Sequence, residues 1–199
     1  MARRTPDEEE VSIRFVNTVA WRLRDPSEER MGSPEAMLEW LGRNGTATTP
    51  ELDPIRRKWS RSPQAAARAY ETAVRLRESI YQLFISCIAH QEPPFPETNF
   101  LGRFLWRRPT SLQLQWDGER LNWRTGSNLD VVDLLWPIAL SAAQLMTGSR
   151  AEKIRQCQDD RGCGWLFVDE SRLQNRRWCS MGDCGNLAKA RRHRQRVRT

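Results

Sequence analysis

The chain has 199 residues, of which 39% are hydrophobic and 29% charged, enough for a sizeable core and ordinary for a globular protein. No apolar run approaches the roughly 18 residues that span a bilayer, and the N-terminus MARRTPDEEE lacks the roughly 7–15 apolar residues of a secretory signal, so a cytoplasmic protein without a membrane partner is expected. The net charge of +7 is confined to the last quarter: residues 1–149 carry 19 Lys/Arg and 19 Asp/Glu, residues 150–199 carry 13 and 6. This asymmetry places a domain boundary near residue 149 and suggests a polyanionic partner for the C-terminal part, because clustered cations attract phosphates and release their counterions.

In chain order, Val11, Phe15, Val19 and Leu23 recur at four-residue steps and predict a first helix over VSIRFVNTVAWRL. Ser33-Pro34 supplies a cap and a proline suited to a first turn, with the second helix ending at Gly45. Ser62-Pro63 repeats the start signal before QAAARAYETAVRLRESIYQLFISCIAH, the strongest helical pattern in the chain and the expected spine of the core. The prolines of QEPPFPE end it, and a short helix through NFLGRFLWRR follows. Leu112, Leu114 and Trp116 alternate on one side of Asp117-Gly118, and Leu121 and Trp123 on the other, predicting a β-hairpin at about 111–125. DVVDLLWPIALSAAQLMTG is an apolar helix with Pro137 inside, closed by Gly148. Seven of the nine tryptophans fall before residue 150, and packing in core and hairpin accounts for them more simply than a ligand pocket. The fold class expected is therefore mainly α with one β-hairpin in the N-terminal domain, followed by a small C-terminal zinc-binding module.

That module rests on cysteine spacing. Four of five cysteines fall in the last 43 residues, as Cys157-QDDRG-Cys163, then fifteen residues, then Cys179-SMGD-Cys184. Two short-spaced thiol pairs joined by a longer loop suit one tetrahedral zinc with sulfur at about 2.3 Å. GWLFVD reads as a strand, SRLQNR as a turn and RRW as a second strand, a hairpin carrying the first pair at its base. The second pair opens a helix, LAKARRHRQRVR, free of proline and glycine, whose dipole favours thiolate charge at its first turn. The arrangement resembles a treble clef. Cys87, apart from the others, reads as a small buried residue.

Residues 150–198, with CGWLFVDESRLQNRRWCSMGDCGNLAKARRHR, resemble the CGNR zinc finger. Residues 11–149, with RFVNTVAW, SPEAMLEWL and LLWPIALSAAQLM, are similar to the ABATE domain that precedes this finger in stress-induced bacterial transcription regulators. The resemblance implies zinc ligands at Cys157, Cys163, Cys179 and Cys184, one structural ion per chain, and a role in transcription regulation. Two departures stand out: Leu187 occupies the place of the arginine after Gly-Asn, and the first cysteine pair is one residue wider than usual.

The leading functional expectation is a DNA-binding transcription regulator whose zinc-anchored basic helix enters a major groove. Its candidate nucleic-acid contacts are Lys189, Arg191, Arg192, Arg194, Arg196 and Arg198, with Arg176 and Arg177 on the hairpin beside the second pair. Double-stranded DNA is the expected partner, and the N-terminal domain would sense a small-molecule effector or mediate association as a homodimer. An RNA-binding or protein-interaction zinc module is the alternative, since arginine-rich helices serve both nucleic acids. An enzyme is disfavoured: only His90 and His193 supply imidazoles, and four thiols on one metal leave no open coordination position.

Overall fold

The computed structural model describes residues 10–107, 113–119, 121–124 and 130–197. Within them the backbone runs α1 (Val11–Val16), β1 (Val19–Ala20), β2 (Glu28–Glu29), α2 (Pro34–Arg43), α3 (Thr49–Arg61), α4 (Pro63–Ala89), α5 (Phe95–Trp106), β3 (Gln113–Trp116), β4 (Leu121–Arg124), α6 (Val131–Thr147), β5 (Ile154–Gln156), β6 (Leu166–Val168) and α7 (Asn186–Val197), with a 3₁₀ turn at Ala151–Lys153 and a π turn at Met181–Gly185. The described residues are mainly helical, and the strands among them form three two-stranded antiparallel pairs: β1–β2, β3–β4 and β5–β6.

The spine is α4, as its periodicity predicts. It packs on α1, α2, α3, α5, α6 and β5, burying Ala73, Leu76, Ile80 and Phe84 completely. Of the two Ser-Pro start signals, Ser33 caps its helix, whereas Ser62 precedes α4 without a side-chain cap bond. Ser33 accepts a hydrogen bond from the Ala36 amide at 3.1 Å, and Asp130 and Asp133 form a capping box at the head of α6, leaving fewer orphan amides at each helix start. Helix α6 continues through Pro137 and ends at Gly148, which is extended (φ −92°).

Several expectations need correction. The first helix stops at Val16, not Leu23: Asn17 leaves the helix to bond elsewhere, Thr18 turns back on the Phe15 carbonyl, and Leu23 is exposed. Helix α3 was not anticipated, although Thr48 and Glu51 form a capping box at its start. The pair β1–β2 adds a second strand pair to the N-terminal part. The expected hairpin forms between β3 and β4, Gln113 facing Arg124 and Trp116 facing Leu121, while positions 111, 112, 120 and 125 of that expectation lie outside the described residues. Tryptophans also divide differently than expected. Trp59 and Trp136 are buried and Trp40 meets Phe15 at 5.3 Å, but Trp106 and Trp116 are exposed.

The largest difference concerns the strand pairing of the C-terminal part. The expected hairpin between GWLFVD and RRW does not form; instead β6 pairs with β5, Ile154 facing Val168 and Gln156 facing Leu166. Alternation along β6 then splits its side chains. Leu166 and Val168, with Ile154, complete the helical core, while Phe167 points to the cysteines. The β5–β6 pair thus lends one face to the helical core and Phe167 to a smaller cluster around the cysteines.

Candidate metal centre

Cys157 directly follows β5 and Cys163 precedes β6, so the β5–β6 pair closes a knuckle loop over 157–163. The Cys157 amide donates to the Trp165 carbonyl at 2.8 Å. Gly162 (φ +85°) and Gly164 (φ +66°) flank Cys163 in the left-handed region that glycine enters without a Cβ penalty. Cys179 arrives on an irregular segment braced by Arg176, whose guanidinium stacks on Phe167 at 4.6 Å, donates to the Trp178 carbonyl at 2.7 Å and reaches the Cys179 carbonyl. Cys184 lies in the π turn that runs into α7.

The four sulfurs lie within 4.8 Å of one another. Cys163 and Cys179 are 3.7 Å apart and Cys179 and Cys184 3.8 Å, matching the edge of about 3.8 Å for a tetrahedron with 2.3 Å zinc–sulfur bonds. Three of the thiols are buried and Cys179 half-buried. Their protonation is mutually dependent. Hydrogen bonds from the Cys163 and Cys179 thiols hold Cys157 far below its ordinary value, helped by the amides of Cys179 and Asp159. Cys179 is pushed up by Cys157 and then Cys163, Cys163 chiefly by Cys157, and Cys184 by burial and then Asp159. Four thiolates this close coexist only around a cation that neutralises them, and four sulfur donors at this spacing suit zinc.

An outer shell fixes this cluster. Asp159, nearly fully buried, grips Arg161 through both oxygens and is held well below the usual carboxylate range by it. Arg161 in turn reaches Cys184 Sγ at 3.9 Å. Trp21, Trp165 and Trp178 pack around the sulfurs.

The helical part contributes as much as the finger. The Asn17 side chain meets both polar atoms of Leu166, donating to its carbonyl and accepting from its amide, each at 2.9 Å, as a neighbouring strand would. Trp165 Nε1 donates to the Val19 carbonyl at 3.1 Å. The amides of Arg22 and Leu23 donate to the carbonyls of Cys163 and Gly162 at 3.0 and 3.2 Å. Behind this strap Arg22 pairs with Glu78 at 2.6 Å, and buried Arg77 joins Glu78 and Glu29 at 2.8 and 2.6 Å. No sequence signal marked Asn17 or Arg22; the glycines flanking Cys163 were the one visible hint of close backbone approach.

The candidate nucleic-acid contacts that the structure describes differ in their surroundings. Lys189 and Arg194 are exposed on α7, while Arg191 pairs with Asp160 of the knuckle loop. Arg177 donates to Gln158 at 2.8 Å and stacks on Trp178, and Arg176 is the brace described above. Arg192 and Arg196 lie in α7 but their side chains, like all of Arg198, are outside the described residues. Leu187 is exposed one helical turn before Arg191.

The fold and site define a helical domain that carries a four-cysteine zinc module and shares its core with it. Residues 9–149 match the ABATE family model, described as "Putative stress-induced transcription regulator", and residues 153–197 match the CGNR zinc finger. The chain belongs to the ABATE family, and the finger together with the cysteine cluster supports one zinc ion per chain. No curated protein is similar enough to count as a relative. Both families are regulatory or zinc-finger families rather than enzymatic ones, and no helix among the described residues is long and apolar enough to cross a membrane.

Proposed function

We propose that this protein is a DNA-binding transcription regulator in which Cys157, Cys163, Cys179 and Cys184 hold the zinc and α7 is the main nucleic-acid element. The observation that carries this reading is the continuity of Cys184 with a helix bearing Lys189, Arg191, Arg192, Arg194 and Arg196 and no acid. A helix fixed at its first turn by a metal presents its cations in one direction, which a free tail does not. By helical spacing Arg191 and Arg194 share the face toward the knuckle loop and Lys189 lies on the other side, so phosphate contacts on one flank and base edges on the other are within reach of one helix. The N-terminal domain acts as sensor or association domain, and the shared core gives it a direct mechanical link to the finger.

The test is a salt titration of duplex DNA binding by the zinc-loaded full chain and a chain ending at Asn186. A log–log slope of about −4 to −5 is expected if roughly five phosphates are neutralised, and it should collapse in the shortened chain. An unchanged slope and affinity after removal of α7 would refute the reading.

A further inference from the structure

We infer that the DNA-binding face is composite, and that Arg24, from the helical part, is a phosphate contact beside α7; this rests on the reading above. Three segments converge on the short loop 159–162. From the N-terminal side, the strap over residues 22–24 runs along the loop through the amides of Arg22 and Leu23, and Arg24 Nε donates to the Arg161 carbonyl at 2.5 Å. From α7, Arg191 pairs with Asp160 of the same loop. Beneath, Arg161 reaches Cys184 at the root of α7. Arg24 is thus one residue along the loop from the partner of Arg191, and the strap and the basic helix flank a single loop.

The chemistry of Arg24 sets it apart from its neighbours. Its guanidinium stands 4.1 Å from the centre of the Trp21 ring, and that of Arg161 stands 5.1 Å from the same ring. Two like charges against one indole repel unless each is compensated. Arg161 is compensated by Asp159 at 2.5 Å, whereas no carboxylate among the described residues pairs with exposed Arg24, its neighbour Asp25 included. With Nε tied to a carbonyl and the plane set against an indole, the two terminal nitrogens are held as a fork suited to phosphate oxygens. Trp21 itself sits at φ +52°, a conformation that costs a bulky residue energy and tends to persist where function requires it. The acids of the loop are already engaged, Asp159 by Arg161 and Asp160 by Arg191, so they do not cancel Arg24.

The experiment compares wild type, Arg24→Gln, Arg24→Lys and the chain ending at Asn186, each zinc-loaded, in binding to random-sequence duplex DNA across salt. Gln keeps a donor for the Arg161 carbonyl and removes the charge; Lys keeps the charge and loses the fork. Arg24→Gln should lower the steepness of the salt dependence by about one unit and weaken binding equally for all sequences, while Arg24→Lys keeps the wild-type slope; zinc content and melting temperature should stay at wild-type values in both. If Arg24→Gln leaves the slope unchanged while loss of α7 abolishes binding, the inference is overturned and the DNA-binding reading stands. If Lys and Gln lose slope alike, or either loses zinc, Arg24 is a structural brace and the inference is likewise overturned. If loss of α7 is also without effect, both fall together.

Discussion

Asn17 does the work of a strand with one side chain: it caps the edge of β6 by meeting both polar atoms of Leu166, which is itself fully buried. Replacing it with Ala leaves a buried amide and a buried carbonyl without partners, and should cost about 2–4 kcal/mol, read as a lower urea midpoint for the whole chain; Asn17→Asp, which keeps only the acceptor, should fall in between. The knuckle glycines are as constrained. A Cβ on Gly162 would stand 2.9 Å from Arg24 Cγ and 3.3 Å from the Leu23 carbonyl, and one on Gly164 2.7 Å from Leu23 Cγ. Gly164→Ala should therefore destabilise by about 1–3 kcal/mol, with hydrogen exchange at the Arg22 and Leu23 amides rising more than in α2. Sequence reading found the cysteines because spacing alone reports a metal site. It could not find Asn17, because one polar residue in an apolar pattern looks the same whether it faces water or a distant strand.

At the scale of elements, helices with strong local signals were legible and the exceptions have physical causes. The four-residue periodicity of Val11, Phe15 and Val19 continues past the true end of α1, since local pattern cannot register the long-range bonds that draw Asn17 and Val19 to the finger. Helix α3 carries two prolines, Pro50 in its first turn, where proline is tolerated, and Pro54 inside it, and a segment with two prolines shows little helical pattern by itself. The β5–β6 pair was missed because Ile154–Gln156 precedes the cysteines and offers only three residues of pattern. That pairing ties the metal to both cores. Removing zinc with a chelator should melt the knuckle and, through β6, lower the melting temperature of the helical part as well, in a single transition by circular dichroism. Persistence of an unchanged helical transition after zinc loss would argue that β5 and β6 hold without the metal.

For the whole molecule, the share that β5 and β6 take in the helical core predicts that the helical part does not stand alone. A chain ending at Gly148 loses Ile154, Leu166 and Val168, each worth about 1.5–3 kcal/mol of burial, a sum comparable with the roughly 5–15 kcal/mol of net stability a domain possesses. It should retain far-ultraviolet helical signal but bind a hydrophobic dye and lose near-ultraviolet structure. The network behind the strap adds a pH dependence. Burial alone would raise the Glu78 carboxyl, but hydrogen bonding and charge from Arg22, then Arg77, outweigh it and hold it below its ordinary value. A depressed carboxyl stabilises the fold above its unfolded pKa, and that contribution is lost as pH falls through the folded value. Glu78→Gln should thus be less stable than wild type at pH 7 by about 1–3 kcal/mol, with the gap between their urea midpoints narrowing below pH of about 4.5. The three indoles around the sulfurs carry one more consequence, for light. Trp21, Trp165 and Trp178 lie against the cysteine cluster, so their emission is exposed to quenching by thiolate and by any coloured ion that replaces zinc. Exchange of zinc for cobalt, whose thiolate complexes absorb where indoles emit, would dim these three, and their emission would report the occupancy of the centre without an added dye.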